Sequence, residues 1–274
     1  MMEPRPLYGV DFSGAADAGR RVWVARGHPH GEGVAVEWSR PLATLPGGSV
    51  ARDRALRALR QFIGVAGEAI FGLDVPLGLP ASLVRERTWK DFLRAFRARY
   101  PSAQEFRRSC WEAAGGRELR RLTEREERAP FSAYNLRLYR QTFCALRDVV
   151  GPLVADGRAR VLPMQAARPG VPWLLEACPA CTLKRLGLYR PPHRPYKGGS
   201  ELHAAARSLV VERLEAEGRV QWVSSAARAA ALGQSGGDAL DSALALLAVA
   251  GAMRRPEALT GARPPYDIEG RAHG

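Results

Sequence analysis

The stretch Tyr8-Gly-Val-Asp-Phe-Ser-Gly-Ala15 places the carboxylate of Asp11 at the end of an apolar run, directly before small residues. Asp is depleted inside strands because its oxygens compete for backbone N–H groups. We therefore expect a strand over Leu7 to Asp11 whose tip presents the carboxylate. An Asp at such a place also caps ordinary turns, so the stretch predicts a site only if the chain supplies partners.

A second carboxylate of this kind lies at Asp74. Ala69-Ile-Phe-Gly-Leu-Asp74 reads as a short apolar strand, and Val75-Pro-Leu-Gly-Leu-Pro80 cannot continue it because two of its residues lack an N–H donor. The preceding residues, 51 to 67, have a helical pattern, so this strand is expected to run parallel to the first. Ligands of open α/β sheets bind beyond the carboxyl ends of such strands.

The remaining elements predict an α/β fold. Residues 21–27 and 34–38 alternate at period two and should form an antiparallel meander with the first strand. Further strands are expected over 158–162, over 173–177, where Glu176 is delivered, and over 220–223. A nearly apolar helix should begin near Gly236 and end near Met253. Asp238 and Asp241 lie three apart in its first turn and share a face, although Asp238 alone is also ordinary capping chemistry.

The candidate site therefore consists of acids contributed by separate elements: Asp11, Asp74, Glu176, Asp238 and Asp241. Crowded like charges repel, and buried unpaired carboxylates are costly. Divalent cations relieve both costs, and oxygen ligands without clustered His or Cys favour Mg²⁺ or Mn²⁺. Two such ions can activate a water and stabilise a leaving oxygen in phosphodiester hydrolysis.

The charge balance favours a polyanionic partner. The formal net charge is +13, and only three of the 41 basic residues are lysines. Residues 82–150 read as a mostly helical insertion, and Arg85 to Arg140 contains fifteen basic against eight acidic residues, interleaved with aromatics. These helices either bury the aromatics as core and solvate the arginines, or form a lobe that grips a phosphate backbone, and both can hold together.

Cysteine usage and hydropathy point to a soluble, cytoplasmic protein. Met1 to Pro6 is polar, which is unlike a secretory leader, and the apolar run 239–252 is too short to span a bilayer. Cys178-Pro-Ala-Cys181 is a CxxC motif, for which redox or zinc chemistry is one interpretation. Two small buried thiols packed at a strand-to-helix turn are the interpretation that we favour.

Five ordered motifs resemble a family of predicted RNase H-like nucleases, the domain of unknown function 429 family. These motifs are Gly9–Ala15, Gly72–Pro80, Glu176–Leu183, Tyr196–Gly198 and Gly237–Ala245. Asp-x-x-Asp followed by small and apolar residues on the last helix is also similar, more distantly, to RuvC-type resolvases. The family tends to have other residues where the two cysteines of the CxxC motif stand, which supports packing for them.

The resemblance implies one RNase H-like domain over residues 1–274, with a mixed five-stranded sheet of three antiparallel and then parallel strands, flanked by helices. It implies a nuclease that acts on DNA or RNA with Mg²⁺ or Mn²⁺. Asp11, Asp74 and Asp241 would be metal ligands, with Asp238 and Glu176 as additional ligands or positioning groups. Lys197 would contact a phosphate or the transition state.

Two alternatives remain from the sequence. A non-catalytic nucleic-acid-binding protein on a nuclease scaffold would keep the basic lobe without cleavage. An actin-like ATPase or phosphotransferase is suggested by Asp11-Phe-Ser-Gly-Ala15, which resembles a phosphate loop of those enzymes. That class needs a second α/β domain, for which 274 residues with a large insertion leave little room.

Overall fold

The computed structural model describes residues 5–260 and 263–274. All strands of these residues belong to one mixed sheet. The first four residues of the polar segment before the first strand lie outside this range. The eight strands lie in the order β5-β6-β4-β1-β2-β3-β7, with β8 beside β6. Their bounds are β1 Leu7–Asp11, β2 Trp23–His30, β3 Gly33–Pro41, β4 Ile70–Asp74, β5 Arg160–Val161, β6 Trp173–Ala177, β7 Val220–Trp222 and β8 Ala272–His273.

The strand directions confirm a mixed α/β sheet and correct its size. β1, β2 and β3 form the antiparallel meander, whereas β4, β5, β6, β7 and β8 each join through parallel pairing. The resemblance implied a sheet of five strands, which is wrong for the described residues, since they contain eight. β5 and β7 lie within the strands expected over 158–162 and 220–223. β8 was not expected, because two residues are too few for period-two alternation to separate a strand from a loop.

The helices cover both faces of the sheet. They are α1 Ala18–Arg21, α2 Arg52–Gly64, α3 Trp89–Arg99, α4 Ala103–Ala113, α5 Leu122–Glu126, α6 Tyr139–Cys144, α7 Gly151–Ala155, α8 Pro179–Arg185, α9 Glu201–Ala216, α10 Ser225–Gly233, α11 Asp238–Met253 and α12 Tyr266–Glu269. Helix α2 and the helices between β4 and β5 share one hydrophobic core with the sheet, and α9, α10 and α11 share another.

The aromatic residues of the insertion are mostly core. Trp89, Phe92, Phe96 and Phe106 are each no more than 1% exposed, and they pack in the same cluster as β1 and β4. Helices α3 and α4 begin at Ser or Thr caps whose hydroxyls accept from backbone N–H groups. A helix predicted over 134–149 instead runs from Tyr139 to Ala155, and its central turn, residues 145–150, is a π-helix.

Helix α11 lies unusually close to the sheet because glycines on two neighbouring strands make room for it. Gly9 and Gly72 are paired in register on β1 and β4. A Cβ at Gly9 would lie 2.0 Å from the carbonyl oxygen of Ser242 and 2.3 Å from the backbone nitrogen of Leu246. This close contact brings the first turn of α11 to the carboxyl ends of the strands, where β1 and β4 end in Asp.

Within the described ranges, no single helix is long and apolar enough to cross a membrane. The pair α10 and α11 meets the length and composition test only when the two are joined, and they are bent by 118° relative to each other.

Candidate metal centre

Three carboxylates from three elements meet at the carboxyl end of the central strands. Asp11 ends β1, Asp74 ends β4 and Asp241 lies in the first turn of α11. One oxygen of each lies within 4.8 Å of the others. Asp241 is 1% and Asp11 8% exposed, so this negative charge is removed from bulk water. The predicted convergence of these three residues is therefore present.

Strand alternation explains which acids meet. In β1 and β4, Gly9 and Gly72 face α11, so Asp11 and Asp74, two residues further on, face the same side. In β6 the register pairs Leu73 with Glu176, and Leu73 belongs to the core on the opposite face. Glu176 is therefore turned away from α11.

Glu176 is held by Arg121, a residue that the sequence did not single out. The Arg121 Nη1 donates to Glu176 Oε2 at 2.8 Å and Nη2 donates to Oε1 at 2.5 Å. The backbone N–H of Leu77 donates to Oε2 at 2.8 Å. Glu176 thus accepts three hydrogen bonds and is not part of the three-carboxylate cluster.

The same Arg121 joins α5 to the C-terminal segment. Its Nε donates to Glu124 and its Nη1 to the backbone carbonyl of Glu269, both at 2.8 Å. The carboxylate of Glu269 in turn accepts from the backbone of Ala81 and Leu122. Arg121 is 1% exposed and lies 55 residues from Glu176 in the chain. Nothing in its local sequence separates it from the other insertion arginines, so a buried role could not be read there.

Asp241 is oriented by the segment that contains Tyr196 and Lys197. The buried Tyr196 hydroxyl donates to Asp241 Oδ1 at 2.8 Å, and the Lys197 ammonium pairs with Oδ2. The Lys197 side chain is 51% exposed, so it contacts both Asp241 and the solvent. Arg207 supports this segment, because its Nη1 donates to the carbonyls of Tyr196 and Gly198.

Asp238 lies beside the cluster and not inside it. Its backbone N–H donates to the Gln234 side-chain oxygen at 2.7 Å, and its Oδ2 accepts from the Gln234 amide at 2.9 Å. Asp238 is half-buried at the start of α11. Its predicted place on the same helix face as Asp241 is present, and its negative charge adds to the field at Asp11.

Burial and mutual repulsion make these acids reluctant to ionise. Burial raises the pKa of Asp11 well above its usual range, Lys197 opposes the rise, and Asp241 and Asp74 add to it. Burial, followed by repulsion from Asp241, raises the pKa of Asp74 to about 7. Burial alone would lower the pKa of Lys197, but Asp241, Tyr196 and Asp11 together raise it well above its ordinary value.

A cavity of about 700 Å³ opens above the carboxylates. Its wall includes residues of the insertion and of the 189–197 segment, which bring cationic and aromatic side chains to the opening. Arg137 lies over the Phe131 ring at 5.3 Å, and Arg194 lies over the Tyr189 ring at 3.9 Å. The cavity therefore has a negative floor and a basic rim.

The CxxC motif differs from its prediction. The structure joins Cys178 and Cys181 in a disulfide, whereas two separate packed thiols were expected. The strand-to-helix turn brings their Cα atoms to 5.1 Å, which is within the range that a disulfide needs. Among the described residues, the only group of side chains with metal-ligand spacing is the three-carboxylate cluster, so a zinc site at this motif has no further ligands.

The donor set fits hard divalent cations. Three carboxylates with no imidazole or thiolate among them are the ligand type of Mg²⁺ and Mn²⁺. Comparisons with family models, with curated proteins and with solved structures found no match to this chain. The inference of function therefore rests on the carboxylates and on the cavity above them.

Proposed function

We propose that this protein is a metal-dependent nuclease of RNase H-like fold, which hydrolyses phosphodiester bonds of DNA or RNA at the Asp11, Asp74 and Asp241 cluster. The observation that carries the proposal is the convergence of three carboxylates within 4.8 Å at the strand ends, of which Asp11 and Asp241 are buried and Asp74 is half-buried. A fold gains nothing in stability from bringing three carboxylates together with Lys197 as the one cation paired with them among the described residues. The cost is explained if the cluster exists to hold cations.

Mg²⁺ or Mn²⁺ bound by these carboxylates would activate a water molecule and stabilise the leaving oxygen. Tyr196 and Lys197 fix the orientation of Asp241 through a hydrogen bond and an ion pair. With an ion held there, the Lys197 ammonium would no longer be needed to balance the charge of Asp241 and would be free to contact a phosphate oxygen. Its half-exposed side chain and position on the cavity wall support that role.

The cavity suits a phosphate-bearing substrate. Arg21, Arg137 and Arg194 line it above the carboxylates. A basic rim attracts a polyanion and holds its backbone, while the negative floor excludes it unless cations intervene. Two aromatic rings at the same rim, Phe131 and Tyr189, offer surfaces on which a base can stack.

The related fold class of actin-like ATPases is less well supported. All strands of the described residues belong to one sheet. This part of the chain therefore contains no second α/β domain that could form a nucleotide site together with the first. The non-catalytic alternative keeps the same basic cavity and differs only in the absence of cleavage.

Cleavage assays with Mg²⁺ or Mn²⁺ on labelled single-stranded, duplex and branched DNA and on RNA test the proposal. Asp11→Asn, Asp74→Asn and Asp241→Asn preserve shape and remove charge. Each should reduce cleavage by about a hundredfold or more, the effect of losing one preorganised charged group. Asp156→Asn, at an exposed position after α7, is the matched control and should cleave normally.

Cleavage that survives all three substitutions would overturn the proposal. Tight nucleic-acid binding by the native protein, with no cleavage in either ion, would instead favour the non-catalytic alternative.

A further inference from the structure

A second charged concavity lies between helices on the opposite side of the sheet from α11. It has a volume of about 520 Å³ and is lined by residues of α2, α3, the π-helical turn and α7. We call it the arginine cleft, and its lining residues are Asp53, Arg57, Arg60, Arg97, Pro101, Arg147, Asp148 and Pro152. None of these residues lines the cavity above the carboxylates.

Helical spacing explains how the cleft is built. Asp53, Arg57 and Arg60 lie at i, i+4 and i+7 on α2, so they share one face. The adjoining face of α2 contains Leu56, Leu59 and other buried residues that belong to the core shared with the sheet. The charged face therefore cannot turn inward, and α3 brings Arg97 to it from the side.

The acids of the cleft are already neutralised. Asp148 accepts two hydrogen bonds from Arg147, at 2.7 and 2.8 Å. Asp53 pairs at 3.3 Å with Arg52, a residue that does not line the cleft. Within residues 5–260 and 263–274, no carboxylate pairs with Arg57, Arg60 or Arg97. Three cationic side chains thus converge on one concavity without a protein counter-charge.

We propose that the arginine cleft is a second phosphate-binding site. Guanidinium groups bind phosphate oxygens through paired N–H donors, and three of them around one concavity fit an anion that carries more than one phosphate. Like charges on neighbouring helical turns repel, so the bare arrangement is unfavourable and a bound polyanion relieves it. The volume lies in the range of ligand pockets, about 300–1,000 Å³.

The two phosphate sources that fit are a free polyphosphate and the backbone of a nucleic acid. The helix Tyr139–Ala155 connects the cleft to the proposed catalytic cavity, because Gln141 lines the cavity and Arg147 lines the cleft. Six residues of helix span about 9 Å along its axis. A strand that leaves the carboxylate cavity could therefore reach the cleft within a few nucleotides.

The test measures binding in the absence of divalent cations, in the Asp11→Asn background. Failure of the nuclease proposal would therefore leave this measurement unaffected. The cleft variant is Arg57→Gln/Arg60→Gln/Arg97→Gln. The matched variant is Arg54→Gln/Arg85→Gln/Arg87→Gln, which removes three exposed arginines outside the cleft and so changes the net charge equally. Circular dichroism and thermal unfolding verify that both variants are folded. If the cleft variant does not fold, the double variant Arg57→Gln/Arg97→Gln, which changes only two exposed positions, takes its place.

Anisotropy with labelled oligodeoxythymidine over a salt series forms the first arm. Three lost contacts should reduce the slope of log K against log salt by about 2, at about 0.7 per phosphate of a single strand. The matched variant should change the slope by much less. Thermal stabilisation by inorganic tripolyphosphate forms the second arm, and this stabilisation should be lost in the cleft variant alone.

An effect of the cleft variant in the first arm assigns the site to a nucleic-acid backbone, and an effect in the second arm alone assigns it to a free polyphosphate. Equal behaviour of the cleft and matched variants in both arms would overturn the proposal, because the arginines would then act only through the overall charge.

Discussion

Asp74 shows most directly how the candidate metal centre changes the pKa of a single residue. Its carboxyl lies beside those of Asp11 and Asp241. Burial, followed by repulsion from Asp241, raises the pKa of Asp74 to about 7, although Lys197 and a hydrogen bond with Asp11 oppose the rise. In an unfolded chain the same group ionises near its ordinary value of 3.8. Between these two values the folded protein binds a proton that the unfolded chain has released.

The stability of the metal-free protein should therefore fall as pH rises from about 4 to about 7, the window between the two pKa values. Asp74→Asn should flatten this part of the profile and raise the melting temperature in EDTA at pH 8, at about 2–4 °C per kcal/mol. Thermal unfolding of both proteins across this range, in EDTA, measures the effect. A native profile that rises with pH in this window would contradict the assignment of Asp74 to a crowded acidic centre.

Arg121 holds together a second buried group of charges, which it forms with Glu124 and Glu176. It contacts two carboxylates, those of Glu124 and Glu176, while all three side chains are buried. Arg121→Met should reduce the free energy of unfolding by about 3–5 kcal/mol, because it leaves buried charge without a partner. Denaturant unfolding, with exposed Arg125→Met on the same helix as the control, measures this loss.

Adding Glu176→Gln to Arg121→Met should recover part of the lost stability, since the remaining amide needs no counter-charge. A double variant that is no more stable than Arg121→Met would show that the arginine acts through packing and not through its ion pairs.

Among the elements, α11 contributes most to the site, because its first turn places Asp241 against the ends of β1 and β4. The approach depends on Gly9 and Gly72, which leave no Cβ between strand and helix. The sequence predicted this helix, its start at paired acids and the two Asp-terminated strands. It could not show how close the helix lies to the sheet, because that distance is set by contacts between residues far apart in the chain.

Gly9→Ala should reduce stability by about 1–3 kcal/mol or more, as overpacking against rigid backbone does, and should also reduce metal affinity by displacing α11. In α11 itself, Gly251→Ala meets nothing within 4 Å of its new Cβ and should stabilise the protein by about 0.5–1 kcal/mol. Urea unfolding of both variants tests the pair. Equal effects of the two substitutions would remove the close-contact argument.

The strands show where prediction from sequence ended. β1 and β6 have the predicted bounds, Leu7–Asp11 and Trp173–Ala177, because both are short apolar runs bounded by breaking residues. Glu176 was grouped with Asp11 and Asp74 since all three lie near strand ends. The register of β6 on β4, which only pairing between distant segments defines, turns it to the other face.

In the molecule as a whole, positive charge surrounds two concavities that differ in character. The cavity at the strand ends has a carboxylate floor below a basic rim. In the arginine cleft, Arg57, Arg60 and Arg97 pair with no carboxylate of the described part of the chain, whereas Asp53 and Asp148 each pair with an arginine. The overall charge of +13 was evident from the sequence and indicated a polyanionic partner. The sequence did not show that this positive charge is divided between two concavities, because the arginines of the cleft come from helices that are separated by tens of residues.

The decisive measurement is anomalous diffraction from crystals of the protein grown with Mn²⁺, compared with crystals of Asp241→Asn grown in the same way. We expect anomalous density within coordination distance of the Asp11, Asp74 and Asp241 carboxylates in the native protein, with Lys197 withdrawn from Asp241. This density should be weak or absent in the variant. Native crystals without manganese at this position, and with the Lys197–Asp241 ion pair retained, would contradict the assignment of a metal centre and with it the proposed nuclease.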